Sequence, residues 1–382
     1  MIIGVDARSI ASEVPEIAWY ARSMVEQLSK AQWGKDEQCI CFVPEGAKDL
    51  PASGESYVIV PTKILGHSLA DQWRFNQLLK KNRFDEAHFL TPNHPSMYTG
   101  RTIFSLHDAE WPHPILLRRA LRRCQLVAVS HTLKRQVLDT YRLDADRIQV
   151  IYPGISLNPT NTIDPFDRLR VNHEHGRMID IQAQNGHNDQ LSSDSSVSDA
   201  PLKRPYLLYV GAIAPGRNII RLLEAFASLH ARNRTMQLVL AGPGKSTFLE
   251  PAIEHLRLNG AVVMRPDMTL HQAETLYADA LATVVPYTAH GFTPVPLQSF
   301  VAHVPVIGSS NGVLPELASD GGLYFNPKDP LDMADKIGSV LRKSTVRSLL
   351  VKAGSEQVKQ FSWDASINQL QSLYRRSILP TA

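Results

Sequence analysis

Tyr206-Leu207-Leu208-Tyr209-Val210-Gly211, followed by Ala212-Ile213-Ala214-Pro215-Gly216-Arg217-Asn218, decides the fold of this chain. A continuous apolar run without alternation is the pattern of a strand buried on both faces. A turn containing Pro and Gly comes next. Ile219, Leu222, Leu223, Phe226 and Leu229 then recur at helical spacing. Strand, turn, helix is the repeating half of a parallel sheet, whose strands need helical crossovers.

The same logic extends outward. In the second half Gln237–Gly242, Ala261–Met264, Thr283–Pro286, Val304–Gly308 and Gly322–Phe325 read as buried strands. Thr269 with Gln272 three residues on is a capping box opening a helix. The first half reads as strands at Ile2–Asp6, Cys39–Val43, Tyr57–Val60, Ala87–Leu90, Thr102–His107, Leu126–Val129 and Ile148–Tyr152. A helix near Glu16–Lys30 buries Ile17, Tyr20, Ala21, Met24, Val25 and Leu28, and Ser130 is placed to cap another. Two such units predict an α/β protein of two Rossmann-like domains facing across a cleft. Between them residues 182–199 are rich in Gln, Asn, Ser and Asp and carry too little apolar surface to offset ordering entropy. The expected boundaries are 1–157, a linker with a polar insertion at 158–204, and 205–363, with 364–382 completing the first domain.

A chain of 382 residues accommodates two domains of ordinary size. With 40 basic against 37 acidic residues, the balance gives no argument for nucleic acid. Arg118, Arg119, Arg122 and Arg123 cluster, either as a solvated helix face or as a face toward anionic lipid. Cys39, Cys41 and Cys124 fit a reducing compartment as buried thiols. No apolar run reaches the roughly 18 residues that span a bilayer. The expectation is a cytoplasmic protein, at most peripherally associated with a membrane.

In open α/β sheets, ligands bind beyond the carboxyl ends of the strands. That rule selects His107-Asp108, Pro215-Gly216-Arg217-Asn218, Gly242-Pro243-Gly244-Lys245-Ser246, His290-Gly291-Phe292 and Gly312-Val313-Leu314-Pro315-Glu316. Arg217 and Lys245 fall near helix N-termini, which favour an anion such as a pyrophosphate. The lysine loop lacks P-loop spacing, and Asp144-Ala145-Asp146 reads as a turn rather than a metal site.

Taken together these segments resemble the family-4 retaining glycosyltransferases of GT-B fold. The resemblance is carried by Ile3-Gly4-Val5-Asp6-Ala7-Arg8, Leu106-His107-Asp108, Arg147-Ile148-Gln149-Val150-Ile151-Tyr152-Pro153-Gly154, Leu314-Pro315-Glu316 and Phe361-Ser362-Trp363. It implies a final helix crossing back onto the first domain. It also implies transfer of a sugar from a nucleotide donor, with retention and without a metal or cofactor. His107 and His290 would be the catalytic-face residues. Arg217, Lys245, Gly291, Phe292, Gln298, Glu316 and the Glu16 loop would surround the donor. The acceptor would be a glycan or a lipid-linked sugar.

Three departures from the family pattern fall around one ligand position. The loop usually reading Gly-Ile-Gly-Arg-Tyr is Glu16-Ile17-Ala18-Trp19-Tyr20, which sets a carboxylate where a glycine lets backbone approach phosphate. The usual Arg-Lys pair is Gly216-Arg217. The two glutamates that usually frame the donor-sugar loop are His290 and Gln298. No residue legible in the sequence offsets Glu16. Three functions are compatible with this pattern. One is a glycosyltransferase with an altered donor site, in cell-surface polysaccharide or glycan assembly. Another is a silent relative that partners an active glycosyltransferase. The third is a GT-B enzyme of other chemistry, such as a sugar-nucleotide epimerase.

Overall fold

The computed structural model describes residues 1–64, 68–91, 98–109, 124–156, 206–269, 272–288 and 291–378. The polar insertion, the arginine cluster and His290 lie outside these residues.

The strand runs of the first half form one parallel sheet: β1 (Ile2–Asp6), β2 (Gln38–Pro44), β3 (Tyr57–Thr62), β4 (Glu86–Phe89), β5 (Thr102–Leu106), β6 (Gln125–Ala128) and β7 (Ile148–Val150). Their order is β3-β2-β1-β4-β5-β6-β7. The second sheet contains β8 (Tyr206–Val210), β9 (Gln237–Gly242), β10 (Val262–Pro266), β11 (Ala280–Val285), β12 (Val306–Ser309) and β13 (Gly322–Phe325), in the order β10-β9-β8-β11-β12-β13. Both are doubly wound, and β8 is buried along its whole length because helices cover both faces. The strand order reverses between β1 and β4 in one sheet and between β8 and β11 in the other. Those two switch points are where such sheets leave a crevice for a ligand.

The helix Pro15–Lys30 follows β1, with Pro15 at its first position and Glu16 in its first turn. The helix His131–Tyr141 is capped as expected, with the Leu133 N–H donating to Ser130 Oγ at 3.0 Å. The Thr269–Gln272 box closes in both directions, at 2.8 and 3.2 Å, and the regular helix after it is Glu274–Tyr277.

The last helix, Trp363–Ile378, returns to the first sheet. Its Tyr374 hydroxyl is 2.7 Å from His88 Nδ1, His88 Nε2 is 2.9 Å from Ser105 Oγ, and that oxygen is 3.0 Å from the Tyr20 hydroxyl. Burial pushes His88 down to about 3, so this chain of four buried groups is neutral. It ties β4, β5, the Pro15–Lys30 helix and the last helix together. Gly154 makes the crossing possible: a Cβ there would stand 2.1 Å from the Trp363 nitrogen. Gly154→Ala is therefore expected to lower the thermal midpoint by several degrees, as calorimetry would register.

Candidate functional site between the sheets

The two switch points face each other, and protein groups bridge them. Glu16 opens the Pro15–Lys30 helix just beyond β1, and Arg217 ends the turn Pro215–Arg217 just beyond β8. The Arg217 guanidinium donates to both Glu16 oxygens, Nη1 to Oε1 at 3.0 Å and Nη2 to Oε2 at 3.3 Å. The carboxylate expected to stand alone is thus paired, with the cation expected to hold phosphate. Asn218 fixes the turn. It adopts φ 58°, which asparagine tolerates, and its Nδ2 donates to Pro286 O and Pro327 O at 2.9 and 2.8 Å. Arg217 also lies 5.0 Å from the centre of the Tyr287 ring.

A second bridge lies beside the first. Gly291 meets the backbone of His107 so closely that a Cβ would stand 1.9 Å from the His107 carbonyl oxygen. Phe292 stacks on Trp19 at 5.9 Å with planes 16° apart, and Trp19 leans on Trp363 at 6.0 Å. His107 donates from Nε2 to Leu90 O at 2.9 Å and meets the Tyr20 ring edge-on at 4.5 Å. Burial pushes its pKa down to about 4, against the opposing pull of Leu90 O and Asp108, so the imidazole is neutral at pH 7. Gly291→Ala is expected to separate the loop from His107, seen as faster hydrogen exchange in 291–295 without loss of either sheet.

Gln298 and Glu316 have partners of their own. Gln298 is buried; its Nε2 donates to Glu274 Oε1 at 3.1 Å and its Oε1 accepts from the Tyr277 hydroxyl at 3.2 Å. Glu316, expected beside the nucleoside and ribose, instead reaches the first domain. It accepts from His131 N at 2.6 Å, Thr132 N at 2.7 Å, Thr132 Oγ1 at 2.5 Å and the Tyr152 hydroxyl at 2.6 Å. Lys245 is exposed on the loop after β9, next to the loop of Arg217, since Gly244 bridges Ile213. So Glu16, His107, Arg217, Gly291 and Phe292 gather at one place, with Lys245 on an adjoining loop and Glu316 on a separate contact between the domains.

The structure adds Trp19, Glu274, Tyr277 and Tyr287 to this region. An aromatic residue at the start of a helix, and an acid just after a capping box, were the available signals.

A family model described as Glycosyltransferase Family 4 matches residues 19–158, and one described as Glycosyl transferases group 1 matches residues 192–357. The chain belongs to the family-4 glycosyltransferases. It is 27% identical over 271 residues to a D-inositol 3-phosphate glycosyltransferase of Frankia alni, covering 68% of this chain and 60% of that protein. An Acidothermus cellulolyticus protein of the same description is 28% identical over 308 residues, covering 74% and 62%. The chain thus spans about three fifths of the length of these relatives. The O-antigen chain mannosyltransferase RfbU of Salmonella typhimurium is 24% identical over 215 residues, covering 56% of this chain and 50% of that protein. Sucrose-phosphate synthase of Thermosynechococcus elongatus superposes with a TM-score of 0.73 at 18% identity, covering 98% of both chains. Anabaena HepE in complex with UDP-glucose superposes at 0.70 and 15% identity, covering 98% of this chain and 100% of that one. The chain therefore has the GT-B fold. Among its described residues no helix is long and apolar enough to cross a membrane.

Proposed function

We propose that this chain is a nucleotide-sugar-dependent glycosyltransferase of glycan or cell-surface polysaccharide assembly, acting at the cytoplasmic face of the membrane on a glycan or lipid-linked acceptor. In this reading its donor seat is filled by its own Glu16 when no ligand is bound. The observation that carries the proposal is the two-pronged contact of Arg217 with Glu16. A guanidinium fork aimed into the cleft at a switch point suits the paired oxygens of a diphosphate as well as those of a carboxylate. A donor would displace Glu16, and the bond from the sugar anomeric carbon to the diphosphate oxygen would then break. The acceptor hydroxyl oxygen would take the carbon and pass its proton to the departing diphosphate oxygen. Neutral His107 would line the sugar face, His290 would touch the sugar, and Lys245 would meet the diphosphate.

One set of contacts favours the second reading, a silent partner or scaffold of an active glycosyltransferase. Arg217 and Gln298 both have protein partners, so the closed form is complete without a ligand. Calorimetry with UDP, GDP and ADP, followed by an assay of donor-sugar hydrolysis, separates the two. Micromolar binding with slow turnover is expected of the enzyme. Absence of binding in both the natural chain and Glu16→Gln would leave the silent partner.

A further inference from the structure

The helix Pro15–Lys30 carries two stripes. The apolar one faces the first sheet. The other, Trp19, Ser23, Glu26 and Gln27 at i, i+4, i+7 and i+8, faces the second domain and forms one wall of a cavity of about 220 Å³. Glu274 and Trp363 form part of the opposite wall. Gln298 borders the cavity, while Arg217 does not.

Four polar groups here have no hydrogen-bond partner among the described residues. Ser23 is only 4% exposed, yet its hydroxyl makes no hydrogen bond among the described residues, and neither does the Gln27 amide. The indole N–H groups of Trp19 and Trp363 also lack acceptors among the described residues, although both residues are about as deeply buried. None of these atoms is fully sealed from solvent, and all four residues border the cavity, where water or a ligand can partner them. Buried polar groups are nearly always satisfied, by protein, water or ligand. A set of two indoles, a hydroxyl, an amide and carboxylates offers flat apolar surface with donors and acceptors around it.

We propose that this cavity binds a single uncharged sugar ring, as a glycan subsite separate from the diphosphate seat. Its volume is below the roughly 300–1,000 Å³ of sites for drug-sized ligands, which suits one ring rather than a whole nucleotide sugar. Among the described residues, no lysine, arginine or histidine lines it to receive a phosphate. Glu26 and Glu274 both border it, and the cation nearest Glu26 is Lys30, 2.6 Å away and well exposed. Hydroxyls of a sugar would accept from the indoles and Gln27 and donate to Ser23 Oγ and the carboxylates. The inference does not depend on donor binding.

The test is a titration of the full chain, with 15N-labelled tryptophan, by glucose, galactose, mannose and N-acetylglucosamine, and separately by UDP and GDP. A neutral sugar is expected to shift the Trp19 and Trp363 indole signals saturably. Gln27→Ala and the conservative Ser23→Ala should each weaken that binding about three- to tenfold, the loss of one hydrogen bond. Arg217→Ala should leave it unchanged while reducing any UDP binding, so the two sites fail separately. The proposal is overturned if no sugar shifts either indole. It is equally overturned if UDP or GDP shifts them and Gln27→Ala weakens the nucleotide, which makes the cavity part of the nucleotide seat.

Discussion

Glu16→Gln is expected to raise affinity for a nucleoside diphosphate by about ten- to a hundredfold. In the natural chain a diphosphate competes with a carboxylate that already satisfies the Arg217 fork at 3.0 and 3.3 Å. It also meets that carboxylate as a like charge. A charge-assisted hydrogen bond contributes roughly 1.5–3 kcal/mol. The pair is partly exposed, 23% for Arg217 and 11% for Glu16, so screening places the competition toward the lower end. One to two factors of ten correspond to about 1.4–2.8 kcal/mol. Glutamine keeps the shape and removes the charge. Stability should move the other way, by under about 1 kcal/mol, because Glu16 also favours the helix N-terminus and ties two domains. A gain in UDP affinity with a small loss of thermal midpoint is thus the joint signature. Arg217→Ala should remove the gain in either background. If Glu16→Gln leaves affinity unchanged while Arg217→Ala also has no effect, Arg217 is not a phosphate group and the donor assignment fails.

The difference between what was legible and what was not follows the range of the interactions. Each strand run named from the sequence is a strand in the structure, with ends displaced by a few residues. Parallel strands buried on both faces leave a strong local trace, since every position must be apolar; β8 and β13 were read within a residue. Ser130 and the Thr269–Gln272 box were legible because a cap is made by residues three apart. The helices Leu69–Asn82, Pro330–Arg342 and Ser344–Gln357 were not singled out. The first leaves Trp73 53% exposed, which blurs its apolar stripe. At the site, the strand-end rule found the loops of Arg217, Gly291 and His107, because topology alone places them. Partners across the cleft were not legible. Glu16 and Arg217 are 201 residues apart, and Glu316 and His131 are 185 apart. Such pairs depend on how two domains sit together, which no local pattern encodes. A carboxylate judged against a ligand looks repulsive; judged against its actual neighbour it is half of an ion pair.

Glu316→Ala is expected to cost roughly 2–4 kcal/mol of stability and to loosen the domain contact. One carboxylate here accepts four hydrogen bonds, from His131 N, Thr132 N, Thr132 Oγ1 and the Tyr152 hydroxyl. The first two are free N–H groups at the start of the helix His131–Tyr141, which Ser130 leaves uncapped because it serves Leu133. An anion at that end also meets the positive end of the helix dipole. Burial raises the Glu316 pKa, but the bonds from Thr132, Tyr152 and His131 outweigh it, and the net value is lowered. A carboxyl whose folded pKa lies below its unfolded value contributes stability above the unfolded value, about 4.3 for glutamate, and that contribution is lost as pH falls through the folded value. Glu37, held down to about 2 by Arg375, titrates in the same acid range, so the natural chain alone does not isolate Glu316. The difference between the natural chain and Glu316→Gln does. The gap in unfolding free energy should be widest at neutral pH and close below about pH 4. In Glu316→Ala the His131 and Thr132 amides should exchange faster in step with this loss. A gap that stays constant from pH 7 to pH 3 would mean that the carboxylate charge contributes nothing to the contact, whatever its geometry.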